Sequence, residues 1–230
     1  LGQGTFNYCR VKNLYIRDLT AWCKINFRGN DLMRRAEKVY INNRVVSTLN
    51  IPADLTVITN NAIHGAKFSS ITVDSNNPVY DSREGCNAII EKETSTLIVA
   101  CNNSTIPNGV TSIGDYAFYG CDGLTSVEVP NSVTKIGYAA FCGCTQLASI
   151  SLPDNVTSIG RYAFGYAYKL NNFIVGENVS SINSYAFYGN ENLKTVFNLS
   201  GLNISAGYSQ HGYIGYYATT IYTDLDEYVE

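Results

Sequence analysis

Apolar residues recur at a fixed interval of 23 residues in the second half of the chain. Successive copies begin at Ile106, Val129, Leu152 and Val175, and the first copy is IPNGVTSIGDYAFYGCDGLTSVE. Like side chains therefore line up in columns when copies stack: Val110, Val133, Val156, Val179; Ile113, Ile136, Ile159, Ile182; Phe118, Phe141, Phe164, Phe187; Leu124, Leu147, Leu170, Leu193. One copy cannot bury its apolar side alone, whereas neighbouring copies complete a continuous core, so the period predicts a solenoid.

Turn-forming residues divide each copy into shorter pieces. Gly114, Gly137 and Gly160 follow the isoleucine column, where we expect glycine to allow a positive φ at a bend. The alternating run from Leu124 to Val129, with its equivalents, predicts a strand at the end of each coil. Proline then closes the strand in three places.

The same columns extend upstream in shortened form and are interrupted twice. We interpret the chain as one solenoid with a partial coil at 1–16, an insertion at 17–50, a coil at 51–73, a hairpin insertion at 74–105, four regular coils at 106–197 and a C-terminal cap at 198–230. In the first insertion, Asp18 is expected to cap a short helix and Asn42-Asn43 to turn a hairpin. The second contains NAIIEKETSTLIVAC, whose two apolar runs predict a β-hairpin projecting from the stack.

The chain begins inside a coil, because Leu1 already occupies the isoleucine column. Half a coil leaves core exposed at the open end of a solenoid. Since no initiator methionine or signal peptide stands at the start, we expect further residues upstream in the natural protein, including any signal or anchor.

The order of these residues resembles a known family. The phrase VTSIGDYAFYGCDGLTSVEVPNSV is similar to the BspA-like, or Treponema-type, leucine-rich repeats in its Ile-Gly, Ala-Phe and Gly-Cys pairs and its leucine strand. The resemblance implies a right-handed leucine-rich-repeat solenoid of strands and irregular coil, with short helices and β-hairpin insertions. It also implies a bacterial cell-surface or secreted protein, some of whose relatives are adhesins. The chain departs from the pattern at Asn198, which suggests that the regular stack ends there.

Charge and composition narrow the choice of partner. The net charge of −3 argues against a nucleic acid, because proteins that bind one carry a clustered basic face. The densest basic cluster, Arg34, Arg35 and Lys38, is interpreted as a solvated helix face. No apolar run approaches the ~18 residues that span a bilayer. No motif calls for a cofactor, so none is expected.

Seven cysteines occur along the chain. Cys86 and Cys101 flank the predicted hairpin, where either a disulfide or two packed thiols is compatible with the sequence. Cys142 and Cys144 resemble a metal-binding pair, but no second pair and no suitably spaced histidine accompanies them. A metal site is therefore not expected.

Catalytic motifs are absent from the sequence. No nucleophile elbow, zinc-protease helix, P-loop or dinucleotide fingerprint occurs. The two histidines, His64 and His211, are interpreted as surface or turn residues, because no motif places a nucleophile or an orienting acid beside either. We do not expect an enzyme.

Candidate ligand-binding residues are sought on the outward side of the strands. That side is mostly small and polar, and the candidates are the residues where it changes character: Tyr15, Asn172, Ile174, Thr195 and Phe197. The apolar pair formed by Ile174 and Phe197 is either a contact site or covered by the terminal segment.

Tyrosine, with 18 residues, is concentrated on another side of the coil. Tyr116, Tyr162 and Tyr185 share one repeat position. These rings either recognise a ligand or seal the coil edge.

Two functions remain open. The first is an adhesin-like binding module that engages a host or environmental protein or glycan through the solenoid surface. The second is a structural spacer that presents another domain of a longer surface protein.

Overall fold

The computed structural model describes residues 9–27, 32–60 and 62–226. Half of the predicted partial coil and the last four residues of the predicted cap lie outside these ranges. The strands are β1 Val11–Ile16, β2 Ala36–Ile41, β3 Arg44–Val45, β4 Thr48–Ile51, β5 Ser70–Val73, β6 Tyr80–Asp81, β7 Ala88–Glu91, β8 Thr96–Ala100, β9 Ser112–Ile113, β10 Lys135–Ile136, β11 Ser158–Ile159, β12 Asn172–Val175, β13 Ser181–Ile182, β14 Thr195–Asn198 and β15 Thr220–Tyr222. The helices are α1 Leu19–Cys23 and α2 Leu32–Arg35, with 3₁₀ turns at Arg83–Gly85 and His211–Tyr213.

Successive turns of the chain stack in parallel, and the predicted solenoid is confirmed, with about nine turns. The largest sheet has seven strands in the order β13-β11-β10-β9-β8-β7-β6. Within it, Lys135 pairs with Ser112 on one side and Ser158 on the other, which is one repeat in each direction. Antiparallel pairs are found only at hairpins among the described strands. Each turn runs in the same direction, so neighbouring strands are necessarily parallel.

The apolar columns form the core. Phe118, Phe141, Phe164 and Phe187 are fully buried and stack ring on ring, with centroid separations of 4.9, 5.3 and 5.2 Å. Such pairs contribute about 0.5–1.5 kcal/mol each beyond the burial of their area. The spacing of the rings matches the spacing of hydrogen-bonded strands, about 4.8 Å. Backbone pairing and ring stacking therefore reinforce each other along the stack.

The glycines after the isoleucine column serve a different purpose from the one predicted. None of Gly114, Gly137 and Gly160 has a positive φ. A Cβ at Gly160 would instead lie 2.5 Å from the carbonyl carbon and oxygen of Gly137, and one at Gly137 would lie 2.7 Å from the carbonyl carbon of Gly114. A side chain at these three glycines would overlap the preceding turn, because the backbones touch there, whereas the fourth coil has Asn183 at the same position.

Among the four regular coils, the predicted strand at the end of each coil forms fully only in the last two. In the earlier ones it is reduced to a single bridge between Glu128 and Ser151, whereas β12 and β14 pair over four residues. Leu199 N donates to Val175 O at 2.9 Å in that pair. The equivalent residue two repeats earlier, after the bridge of Glu128 and Ser151, is Pro153, which has no N–H to donate.

The hairpin predicted at 74–105 lies within the main sheet and does not project from the stack. Strands β7 and β8 pair antiparallel, and β8 pairs in parallel with β9, the first strand of the regular coils. Both faces of the hairpin are buried: Ile90 and Leu97 face the core of the regular coils, while Ile89 and Val99 face the core of the N-terminal part. A hairpin that is apolar on both sides must be covered on both sides, so it joins the two cores.

The segments predicted as an insertion at 17–50 and a cap at 198–230 also add strands to the stack. Strand β2 pairs in parallel with β1, and β15 pairs in parallel with β14. The local predictions for the first segment are confirmed, because Asp18 Oδ1 accepts a hydrogen bond from Ala21 N at 2.9 Å and caps α1. Asn42 and Asn43 have φ of 50° and 63°, as a two-residue hairpin turn requires. The 23-residue period is lost here because each turn takes 25 residues, as the pairs Val11–Ala36 and Thr195–Thr220 show.

Replacement of Gly160 by alanine is expected to destabilise the protein by about 1–3 kcal/mol, since the new methyl group overlaps the backbone of the preceding turn. Denaturant unfolding measures the effect. Gly201→Ala is the matched control, because a Cβ there meets nothing within 4 Å. Equal losses in the two variants would show that close approach of the turns is not the constraint.

Candidate functional site

Four of the five predicted surface residues lie together on β12 and β14. Asn172 is paired with Thr195, and Ile174 with Phe197. Tyr15 lies on β1, in a different sheet. The five residues therefore do not form one site.

Phe197 is not available to a ligand. It is only 8% exposed, because β15 lies beside it and the ring of Tyr222 stacks on it at 5.3 Å. Ile174, its neighbour on β12, remains 38% exposed. The apolar patch predicted at this end is thus largely covered by the terminal strand.

Tyr15 is exposed by 58% and stacks on Tyr40, its register partner on β2, with centroids 4.4 Å apart. The pair is a small aromatic surface at the N-terminal end of the stack. Exposed Lys38 is also on β2, where its partner is Asn13.

The largest aromatic surface lies elsewhere on the solenoid. Eleven tyrosines form a connected set in which each ring centroid lies within 6.3 Å of another. We call this set the tyrosine ladder; its members are Tyr116, Tyr119, Tyr138, Tyr162, Tyr166, Tyr168, Tyr185, Tyr188, Tyr213, Tyr216 and Tyr217. Five of them are 36–48% exposed. The ladder therefore presents both ring surface and hydroxyl groups along the regular coils.

The ladder advances by one ring for each turn. Tyr162 stacks on Tyr185 at 5.1 Å, and Tyr185 stacks on Tyr213 at 5.4 Å. One turn has Ala139 at this position, and Tyr138 fills the gap by contacting a ring on each side, at 5.1 and 6.3 Å. The repeated tyrosines are visible in the sequence, but the sequence does not show that the ring of Tyr138 takes the place left empty by Ala139.

The backbone beneath the ladder is unusual. Five of its tyrosines adopt a left-handed conformation, with φ between 56° and 70°: Tyr116, Tyr162, Tyr166, Tyr185 and Tyr213. Glycine or asparagine adopts this conformation at lower cost than a bulky residue does. Tyrosine therefore occupies these positions although the left-handed backbone favours glycine or asparagine there.

Two arginines are part of the same surface. The guanidinium carbon of Arg161 lies 5.2 Å from the ring centre of Tyr162 and 5.3 Å from that of Tyr185. At the N-terminal end of the ladder, Arg34 lies 5.1 Å from the ring centre of Tyr119 and donates a hydrogen bond to its hydroxyl at 3.3 Å. Cationic groups thus occur at two points along the ladder.

Six of the seven cysteines are buried, and Cys9 is exposed. Cys86 and Cys101 are both free and buried; the sulfur of Cys86 lies 3.7 Å from Ser82 Oγ, and that of Cys101 lies 3.6 Å from Asn87 O. Burial raises the pKa of Cys86 and raises the pKa of Cys142 to about 11. These thiols are protonated at neutral pH and weakly nucleophilic. The described residues contain no group of three or more metal-ligating side chains.

His64 was expected at the surface or in a turn; it lies in a turn and is buried, with 3% exposure. It lines a cavity of about 260 Å³ where the hairpin meets the regular coils, together with Tyr80, Glu91 and Asp115. Burial lowers the pKa of His64 to about 4, and a backbone hydrogen bond to Ile98 opposes that shift. The imidazole is therefore neutral at pH 7.

The stability of the protein is expected to fall between pH 6.5 and 4. The folded state disfavours protonated His64 while the unfolded chain binds the proton below its ordinary pKa of 6.5, so about 3 kcal/mol of stability at most is lost over this range. Denaturant unfolding of wild type and His64→Gln at several pH values checks this. The difference between the two curves of unfolding free energy against pH separates the contribution of His64 from that of the nearby acids. Curves that stay parallel between pH 6.5 and 4 would contradict the lowered pKa of His64.

No helix in the described part of the chain is both long enough and apolar enough to cross a lipid bilayer.

Comparison with known proteins identifies a related family and related folds. The family described as "BspA type Leucine rich repeat region" matches residues 89–208 in six copies. A leucine rich cell surface protein from Faecalibacterium prausnitzii A2-165 superimposes with a TM-score of 0.69 at 23% identity, covering 94% of this chain and 61% of that one. The pneumococcal vaccine antigen PcpA superimposes with a TM-score of 0.64 at 18% identity, covering 96% and 56%. These likenesses concern the fold, and the chain spans less than two thirds of either structure. No protein of curated function matches the chain.

Proposed function

Because the chain belongs to the BspA type leucine-rich repeat family, we propose that it is a non-catalytic binding module at a bacterial surface. Its ligand is a host or environmental protein or glycan, and its binding surface is the tyrosine ladder. The observation that carries the proposal is the continuous, partly exposed row of eleven tyrosine rings. Tyrosine offers rigid, amphipathic contact area at a low cost in side-chain entropy, which suits recognition.

The backbone strain beneath the ladder supports a role beyond packing. Non-glycine residues in sparsely populated conformations cost of order 1–3 kcal/mol each and concentrate at functional sites. Here five tyrosines have φ between 56° and 70°. Their rings are only partly buried, so the core gains little from them. The surface that they build is a better explanation for their presence.

The sheet face chosen from the sequence is a weaker candidate. Phe197 is covered by β15, and the outward side of β12 and β14 keeps only Ile174 as an exposed apolar residue. Tyr15 and Tyr40 form an exposed pair, but only two rings take part. This pair serves as a second surface to test.

A structural spacer is the second candidate function. The regular stack of turns with backbone contacts at Gly137 and Gly160 favours it, because such contacts make the array a stiff rod. A spacer needs no exposed aromatic surface, so the ladder favours the binding module.

Replacement of Tyr162 and Tyr185 by asparagine is expected to weaken ligand binding at least about tenfold, because truncation of a central aromatic contact costs about 2 kcal/mol. Asparagine tolerates the left-handed backbone at both positions, so the fold is retained. The measurement is binding of the wild type to an array of purified extracellular matrix proteins and glycans, followed by titration of the ligands found with the double variant.

Tyr208→Ser is the matched control, since Tyr208 is exposed and lies outside the ladder. Tyr15→Ser tests the second surface. Loss of binding with Tyr15→Ser alone would move the site to β1. Absence of any saturable ligand for the wild type would favour the spacer.

A further inference from the structure

A groove of about 450 Å³ lies in the N-terminal part of the solenoid, where β1 ends and α1 begins. Its walls come from the end of β1, from α1 and the residues after it, and from the turn between β2 and β3; they include Tyr15, Arg17, Trp22, Ile25 and Asn43. The volume falls within the range of small-ligand sites, roughly 300–1,000 Å³. No member of the tyrosine ladder lines this groove, so it is a separate surface of the molecule.

One wall of the groove is apolar and is held in position by the fold. The indole Nε1 of Trp22 donates a hydrogen bond to Ala62 O at 2.6 Å, and its ring packs against the buried Phe27 with ring centres 4.7 Å apart. Ile25, which completes this wall, is 39% exposed, and its backbone carbonyl accepts a hydrogen bond from Thr59 Oγ1 at 2.6 Å. An apolar side chain that enters the groove therefore buries surface against groups that lose little freedom on binding.

The apolar surface continues from the groove across the outer face of the small sheet. Tyr15, at the rim, is the register partner of Tyr40, and Tyr40 is the partner of Val45 on β3. Register partners project to the same side of a sheet, so the three side chains form a row. Tyr15 and Val45 are 58% and 57% exposed. A groove that continues into exposed apolar surface is typical of a contact site for another molecule.

The rim of the groove is cationic. Arg17 lines it, and Lys24 and Arg44 are chain neighbours of two further lining residues; all three side chains are exposed. None of the three makes a side-chain hydrogen bond or an ion pair within the described part of the chain. Asp18 is the carboxylate beside them, and it caps α1, while Glu37 is held in an ion pair of 2.8 Å. Three cations beside one carboxylate favour a partner that carries negative charge.

From these observations we propose that the groove is a docking site for a peptide segment of another protein, in which one bulky apolar side chain is flanked by carboxylates. The apolar side chain packs between Trp22 and Ile25. The flanking carboxylates meet Arg17, Lys24 and Arg44. A concave site with an aliphatic wall encloses a single side chain, whereas a lipid surface has no such protrusion to enclose. This inference assigns a second site and does not depend on the tyrosine ladder.

The test uses Trp22, the single tryptophan of the chain, whose fluorescence reports on this groove alone. The probes are blocked synthetic pentapeptides in which phenylalanine or leucine lies between two pairs of glutamates. Their counterparts carry lysines in place of the glutamates, or serine in place of the central residue. We expect a saturable change in Trp22 emission with at least one acidic peptide, weakened by salt, and none with either counterpart.

Arg17→Gln/Arg44→Gln is expected to bind the acidic peptide about fivefold more weakly, since two exposed charges are lost from the rim. Lys135→Gln/Lys169→Gln is the matched control, because it removes two exposed charges from the regular coils. Ile25→Ser removes part of the apolar wall and is expected to weaken binding by about the same factor. Without peptide, each variant should keep the emission spectrum of the wild type, which shows that the groove is intact.

Equal losses in the rim variant and its control would overturn the cationic rim as the feature that is recognised. No response to any acidic peptide, or a response to anionic phospholipid vesicles alone, would overturn peptide docking and leave the tyrosine ladder as the proposed binding surface. Tyr162→Asn/Tyr185→Asn should bind the peptides as the wild type does. A loss of peptide binding in that variant would overturn the independence of the two sites.

Discussion

The close approach of successive turns governs the rest of this structure. Gly137 N donates to Ile113 O and Gly160 N to Ile136 O, each at 2.8 Å, and a side chain at either glycine would overlap the preceding turn. This contact fixes the separation of the turns, and every repeated residue then meets its equivalent at the same distance. The stacked phenylalanines in the core and the stacked tyrosines at the surface are consequences of one backbone spacing.

The same constraint explains how the irregular N-terminal part is joined to the regular coils. A β-hairpin can enter a parallel stack only if its last strand continues in register, and β8 does so by pairing with β9. Its two faces then seal two cores, with Ile90 on one side and Ile89 on the other. His64 is buried near this junction, where a neutral side chain is tolerated and a charged one is not. The hairpin is thus a structural joint rather than an appendage.

Different residues make up the scaffold and the exposed surface of this protein. The apolar columns and the inter-turn glycines hold the turns together, whereas tyrosines and arginines at the coil edge form the exposed surface. Arg34 links the two roles, since it lies on the glycine turns Gly120 and Gly143 and reaches the hydroxyl of Tyr119. The sequence pattern alone favoured a solvated helix face for Arg34, because Arg35 and Lys38 make it part of a basic cluster and the glycines beneath it are distant in sequence.

The sequence alone determined the solenoid, its columns and the capped helix at Asp18, because these depend on periodicity and on contacts within a few residues. It could not determine that Gly160 is needed for contact between turns rather than for a positive φ, nor that Tyr162 has the left-handed backbone, because both follow from how one turn rests on the next. For the same reason the sequence left open whether Ile174 and Phe197 form a contact site or are covered by the terminal segment. Phe197 is an outward residue of its strand, and only the tertiary structure shows that β15 covers it. Alternation along a strand says which way a side chain points, but what lies against it is decided by segments far away in the chain.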